Sequence, residues 1–207
     1  MEKMYHFSSK GYLTTVAVTP DYFENAIKKD LHGPDSGRDI HHQMLYMEYK
    51  GRKRYPPYVD FPVVYRQFDG NKLRDMLDMR FDGRCFLISD RLRSLLTDNG
   101  ITGWESFPIV LYDKKGNEIP GYNGFTVIGS GGKLLRLPHP KEENEYFVMP
   151  EYNIWNYRDW DGSDFFRIKP NYNLLVTQRV KDLLVSNRIE SPNFYPIEER
   201  IKVIETQ

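Results

Sequence analysis

Cysteine is nearly absent: Cys85 stands alone in 207 residues. An internal disulfide is therefore impossible, and a reducing compartment fits the chain. No apolar run approaches the roughly 20 residues that a membrane-spanning helix needs. The opening MEKMYHFSSK has no apolar stretch of the kind a secretory signal carries, so a cytoplasmic location is expected. Neither sign of charge is in excess, with 29 basic residues against 29 acidic ones. Nothing global then draws the chain to anionic lipid or nucleic acid; no membrane partner is expected, and nucleic acid is disfavoured. Linkers rich in Pro, Gly or Ser are missing too. The expected organisation is one domain over 1–207, or two closely packed lobes of about 1–128 and 129–207.

What the chain does have is aromatic residues, 14% of the total, and one segment in two copies. Residues 87–109 read LISDRLRSLLTDNGITGWESFPI, and residues 175–197 read LVTQRVKDLLVSNRIESPNFYPI, aligned without a gap at an offset of 88. Leu87/Leu175, Arg91/Arg179, Leu95/Leu183, Leu96/Leu184, Asn99/Asn187, Ile101/Ile189, Pro108/Pro196 and Ile109/Ile197 are identical. In each copy a short apolar run predicts a buried strand. Ser89 or Thr177 follows as the N-cap, with a hydroxyl able to accept a free helical N–H. Leu92, Leu95 and Leu96 then form an apolar helix stripe, repeated by Val180, Leu183 and Leu184. Gly100 suits the left-handed position beyond the helix end. Arg188, at the same place in the second copy, suits it poorly and predicts a different ending. Strands are expected at 106–112 and 194–197. The fold class that follows is α+β, with mixed sheets, few helices and two strand–helix–strand repeats at 85–112 and 173–197. Within each repeat, a parallel crossover and a helix leading into an antiparallel strand are both open.

Elsewhere strand signals dominate, at 11–19 and 60–67, with a short helix expected at 21–29. Asp113 to Asn117 reads as a hairpin turn between 109–112 and 122–128. Residues 32–39 and 129–132 read as loops.

No motif supplies a convincing catalytic set. The GSGGK run at 129–133 lacks the Walker pattern, because Val127 replaces its first Gly and Leu134 its Ser or Thr. A turn is the better reading. His32, Asp35, Asp39, His41 and His42 are the densest group of metal-ligand types, but adjacent histidines do not converge on one metal and no recognised spacing accompanies them. No metal and no cofactor are expected. Ser89 is explained as a cap, and Cys85, inside CFLI, as a buried inert thiol. The 50–58 segment, KGRKRYPPY, is a basic aromatic patch better read as an exposed turn than as a nucleic-acid contact. The 155–166 segment, WNYRDWDGSDFF, mixes aromatics with Asp159, Asp161 and Asp164; it reads either as core around a turn or as an anchor for a basic partner.

Four stretches together resemble the immunity proteins of bacterial polymorphic toxin systems, a group with a core like SxRxxxLLxxxxITGxxFxPV. They are FLISDRLRSLLTDNGITGWESFPI, GNEIPGYNGFTV, WDGSDFF and LLVTQRVKDLLVSNRIESPNFYPIEE, lying between Cys85 and Glu199. The resemblance implies a non-enzymatic, cytoplasmic protein that neutralises a cognate protein toxin by direct association. Interface candidates are Trp160, Asp161, Asp164, Phe165, Phe166 and Trp104. The rival expectation is a small-molecule enzyme or ligand-binding protein with a cleft between the repeat halves, where Arg91 and Arg179 clamp an anion. Where the copies diverge, Gly100–Trp104 against Arg188–Pro192, function is most to be expected.

Overall fold

The computed structural model describes residues 2–10, 13–20, 62–79, 82–137, 152–169, 173–199 and 201–205. The expected helix at 21–29, the histidine-rich loop, the basic patch and the side chain of Cys85 lie outside the described residues. Strands dominate what is described. They are β1 (Met4–Ser9), β2 (Ala17–Pro20), β3 (Val63–Asp69), β4 (Met76–Met79), β5 (Asp82–Ser89), β6 (Trp104–Phe107), β7 (Ile109–Tyr112) and β8 (Tyr122–Val127). They continue with β9 (Gly129–Leu137), β10 (Tyr152–Asn156), β11 (Phe165–Lys169), β12 (Asn173–Thr177), β13 (Pro192–Pro196) and β14 (Lys202–Ile204). Two α-helices accompany them, α1 (Asp90–Asp98) and α2 (Gln178–Ser186). The α+β class holds, with far more strand than helix. No helix among the described residues is long and apolar enough to cross a membrane.

The strands form two mixed sheets of seven, ordered β6-β8-β5-β4-β2-β3-β7 and β13-β1-β12-β11-β9-β10-β14. Read in those orders, both run antiparallel, antiparallel, antiparallel, parallel, antiparallel, parallel. β1 and β8 each lie in the sheet whose other strands come from the opposite half of the chain. Neither crossover expected from the sequence occurs simply: β8 lies between β5 and β6, and β1 lies between β12 and β13. The strand expected at 106–112 is two strands divided at Pro108. Pro lacks an N–H to continue a ladder, and here the chain passes from one edge of the sheet to the other. A single residue can join opposite edges only because the sheet curls. The turn at 113–117 forms as expected, with Asp113 N–H donating to Asn117 O at 2.8 Å. It closes a short hairpin, with Tyr112 bridging Glu118 and Ile119 N–H bonding Leu111 O, but β8 does not continue it, since β7 pairs with β3 and β8 with β5 and β6.

The period-2 alternation of each strand serves two cores. One curled sheet encloses Val18, Tyr65, Leu77, Leu87, Phe107 and Leu111, and the other encloses Leu134, Trp155, Phe166, Ile168, Leu175 and Ile201. Residues of opposite orientation, among them Met76, Phe86, Phe165, Leu174 and Val176, meet in a third core shared by both sheets and both helices. Phe86 and Phe125 stack at 4.9 Å, and Phe165 sets its edge against Phe125 at 5.3 Å and Phe7 at 5.5 Å. A nine-residue helix is too short to persist alone in water. Burial of Leu92 and Leu96 on α1, and of Val180 and Leu184 on α2, holds them here, at about 1.5–3 kcal/mol for each large aliphatic side chain.

The GSGG run is not a loop but the start of β9. A Cβ on Gly129 would lie 2.1 Å from Phe165 O, and one on Gly132 would lie 2.4 Å from Asp159 Cβ. These glycines let β9 lie flush against 159–165, which explains the run without a phosphate.

Candidate functional site

Each helix begins beside one aspartate. Ser89 caps α1, accepting Leu92 N–H at 3.1 Å, and its hydroxyl donates to Asp75 Oδ1 at 2.6 Å. Arg91 donates to Asp75 Oδ2 at 2.6 Å and to the carbonyl of Asn187, the C-cap of α2, at 2.6 Å. On α2, Thr177 makes no cap bond of the expected kind; its hydroxyl donates to Asp164 Oδ1 at 3.0 Å instead. Arg179 donates to Asp164 Oδ2 at 3.3 Å and to the carbonyl of Asn99, the C-cap of α1. Each helix is thus fastened to the other's C-terminal end, where a cation also suits the helix dipole. Both helices end alike. Gly100 has φ +59° and Arg188 φ +56°, and Ile101 N–H and Ile189 N–H bond the carbonyls of Leu96 and Leu184. The different ending expected for α2 is corrected: its capping bonds outweigh the left-handed strain of a non-glycine residue.

Arg91 and Arg179 each hold a carboxylate and a helix-end carbonyl, one through each terminal nitrogen, and each side chain is more than half exposed. Among the described residues no three His, Cys, Asp or Glu side chains group as metal ligands would. Tyr122 OH donates to Arg74 O at 2.9 Å, and its pKa is pushed up to about 12 by burial and by the negative charge of Asp75.

The segment after each helix reaches the opposite half. Thr102 donates to Asp164 Oδ2 through its N–H at 2.9 Å and its hydroxyl at 3.1 Å, and accepts Asp164 N–H at 3.0 Å. Glu190, the residue matching Thr102, pairs instead with Arg74 and Lys72. Gly103, at φ +80°, lies so close to the other half that a Cβ would stand 2.0 Å from Phe165 O.

These contacts bring Trp104 alongside the Trp160–Phe166 segment, two candidates far apart in sequence. The six candidate interface residues then divide. Phe165, Phe166 and Asp164 are buried at 1%, 0% and 6% exposure. The two rings fill separate cores and the carboxylate is fully hydrogen-bonded, so these three face inward, not toward a partner. Trp104 and Trp160 are half-buried and Asp161 is exposed, as is Asp159. Trp104 stacks on Phe125 at 5.7 Å and donates to Ile101 O at 2.8 Å. Trp160 packs against Tyr157 and Phe166 and donates to Ser163 O at 2.9 Å. Asp161 accepts the N–H groups of Ser130 and Ser163. Each indole is thereby held by ring contacts and by one N–H bond, Trp104 against the central core and Trp160 against the core of the second sheet.

Sequence reasoning missed Asp75, whereas Thr102 lies in the divergent 100–104 segment that it singled out. Asp75 stands 14 residues before Ser89, whereas Asp164 stands 13 before Thr177, so an ungapped comparison passes over the match. No family model matches the chain, and no curated protein matches it.

Proposed function

We propose that this chain is a non-catalytic binding protein that associates with a protein toxin and blocks it, as an immunity protein does. The resemblance between Cys85 and Glu199 motivates the reading. The observation that supports it is the pair of half-buried indoles, Trp104 and Trp160, each fixed by its own N–H bond. Under the rival reading, Arg91 and Arg179 would bind an anion only through donors left over from their bonds to Asp75, Asp164 and the helix ends. The contact surface is Trp104 and Trp160 with Asp159 and Asp161. Pre-positioned indoles supply buried area at little cost in side-chain entropy, and the carboxylates select a basic face. The reading includes a cytoplasmic location and a chain made of two copies of one strand–helix–strand unit.

The test is titration of the purified chain with the protein encoded by the adjoining gene, alongside survival of cells expressing that protein. A tight complex and protected cells are expected. Asp159→Arg combined with Trp160→Ala should weaken the complex about tenfold or more, with the far-UV spectrum retained. Absence of both complex and protection contradicts the reading.

A further inference from the structure

We infer that the chain is two copies of a unit whose described residues form seven strands and one helix, and that the first strands of the two copies have changed places. Each sheet thus offers a strand-shaped slot filled by a second copy of the unit. The units are β1–β7 with α1 and β8–β14 with α2. The slot of the first unit lies between β5 and β6 and holds β8; that of the second lies between β12 and β13 and holds β1.

Register carries the inference. β8 sets Tyr122, Asn123 and Gly124 against Ser89, Ile88 and Leu87, and β1 sets Met4, Tyr5 and His6 against Thr177, Val176 and Leu175. Those partners are matched residues of the two repeat copies. The other neighbours agree independently: Gly124 and Phe125 face Phe107 and Ser106, while His6 and Phe7 face Tyr195 and Phe194, again matched pairs. Phe7 and Phe125 therefore occupy the same place in opposite slots. Bonds outside the ladders follow the same correspondence. Asp90 N–H reaches Gly121 O and Gln178 N–H reaches Lys3 O; Ile128 N–H reaches Gly103 O and Lys10 N–H reaches Ser191 O.

The connections complete the picture. Residues 113–121 lead from β7 to β8. The segments before β1 and after β14 reach one turn, with Glu2 N–H donating to Tyr157 OH at 3.3 Å and Glu205 lying 3.9 Å from Arg158. The central core, shared by β1, β8 and both helices, is the surface on which one unit accepts the other.

The test uses the full chain with Cys85→Ser and a protease site inserted between Lys115 and Gly116, in the exposed turn. Register partners have Cα atoms close enough for a disulfide, so three cysteine pairs report the slots. Ser8→Cys with Asn193→Cys should oxidise and hold the two halves together on a non-reducing denaturing gel after cleavage. Thr126→Cys with Glu105→Cys should do the same, because residues 105 and 126 also fall on opposite sides of the cut. Ser8→Cys with Glu105→Cys should remain reduced. Without any cysteine pair, the cut halves should still elute as one species under native conditions. If the inserted site prevents folding, peptide mapping of the uncut cysteine variants reads the same pairs. A bridge between residues 8 and 105, or separation of the cut halves without denaturant, overturns the inference.

Discussion

The two helix-start clusters perform one task with different chemistry. At α1, Asp75 receives a serine hydroxyl and a guanidinium, and remains partly open, with its side chain 16% exposed. At α2, Asp164 receives a threonine hydroxyl, a guanidinium and two further donors from Thr102 of the opposite half, with its side chain 9% exposed. The same scaffold therefore has one wet fastening and one dry one. The second also ties the segment that leads to Trp104 to the one that leads into β11. Shared positions build the fold, and the positions that differ between copies determine what each face presents.

The comparison can be broken most severely at the aspartates. Asp164→Ala leaves the buried Thr177 hydroxyl and the two Thr102 donors without their acceptor and is expected to cost about 3 kcal/mol. Asp75→Ala should cost no more than about 2 kcal/mol, because water can reach the partners it leaves. Urea unfolding of the two variants measures the gap, and equal losses would erase the distinction.

Of similar size is Gly103→Ser, which installs the residue found at the matching position, Ser191. The positive φ and the collision with Phe165 O predict a loss of about 3 kcal/mol, seen as a lowered melting temperature. A neutral result would mean that the two post-helix segments are interchangeable.

Smaller effects distinguish the helix ends. Arg188→Gly relieves a left-handed non-glycine residue at some entropic cost in the unfolded chain, for a net gain of about 0.5 kcal/mol. Gly100→Ala should lose about 1 kcal/mol by the same reasoning. Thermal denaturation resolves both signs.

The last effect is absent at neutral pH and confined to alkaline pH. Tyr122 holds its proton more tightly in the fold, up to about pH 12, than an unfolded tyrosine with its ordinary value of 10.0. Stability is thus untouched below pH 10 and falls as pH rises from there toward 12. Met4, at the matching place in the other sheet, has nothing to titrate. Tyr122→Phe should remove the decline, as read from unfolding midpoints across that range.

Much of this was legible in the residues because it is local. The apolar stripes on both helices, the Ser89 cap and the Gly100 stop depend on neighbours within a turn. Thr177 departed from expectation because Asp164, directly across the β11–β12 pair, claims its hydroxyl. Arg188 adopts glycine's conformation because its capping bonds and the burial of Ile189 outweigh the strain. The exchange of β1 and β8 was not legible. Strand pairing is long-range, and of the residues that align in β1 and β8 only Phe7 and Phe125 are identical. The candidate surface was half legible: the aromatic and acidic residues stand out, but burial of Phe165 and Phe166 depends on two sheets meeting behind them.

Amide hydrogen exchange on the two aspartate variants tests the exchanged strands most directly. Asp164→Ala should lower protection in β12, β13 and β1 more than in β8, which feels the loss only through Thr102 and β6. Asp75→Ala should lower protection in β5, β6 and β8 while β1 is spared. Loss of protection in β1 following Asp75→Ala, with β12 and β13 unaffected, would contradict it.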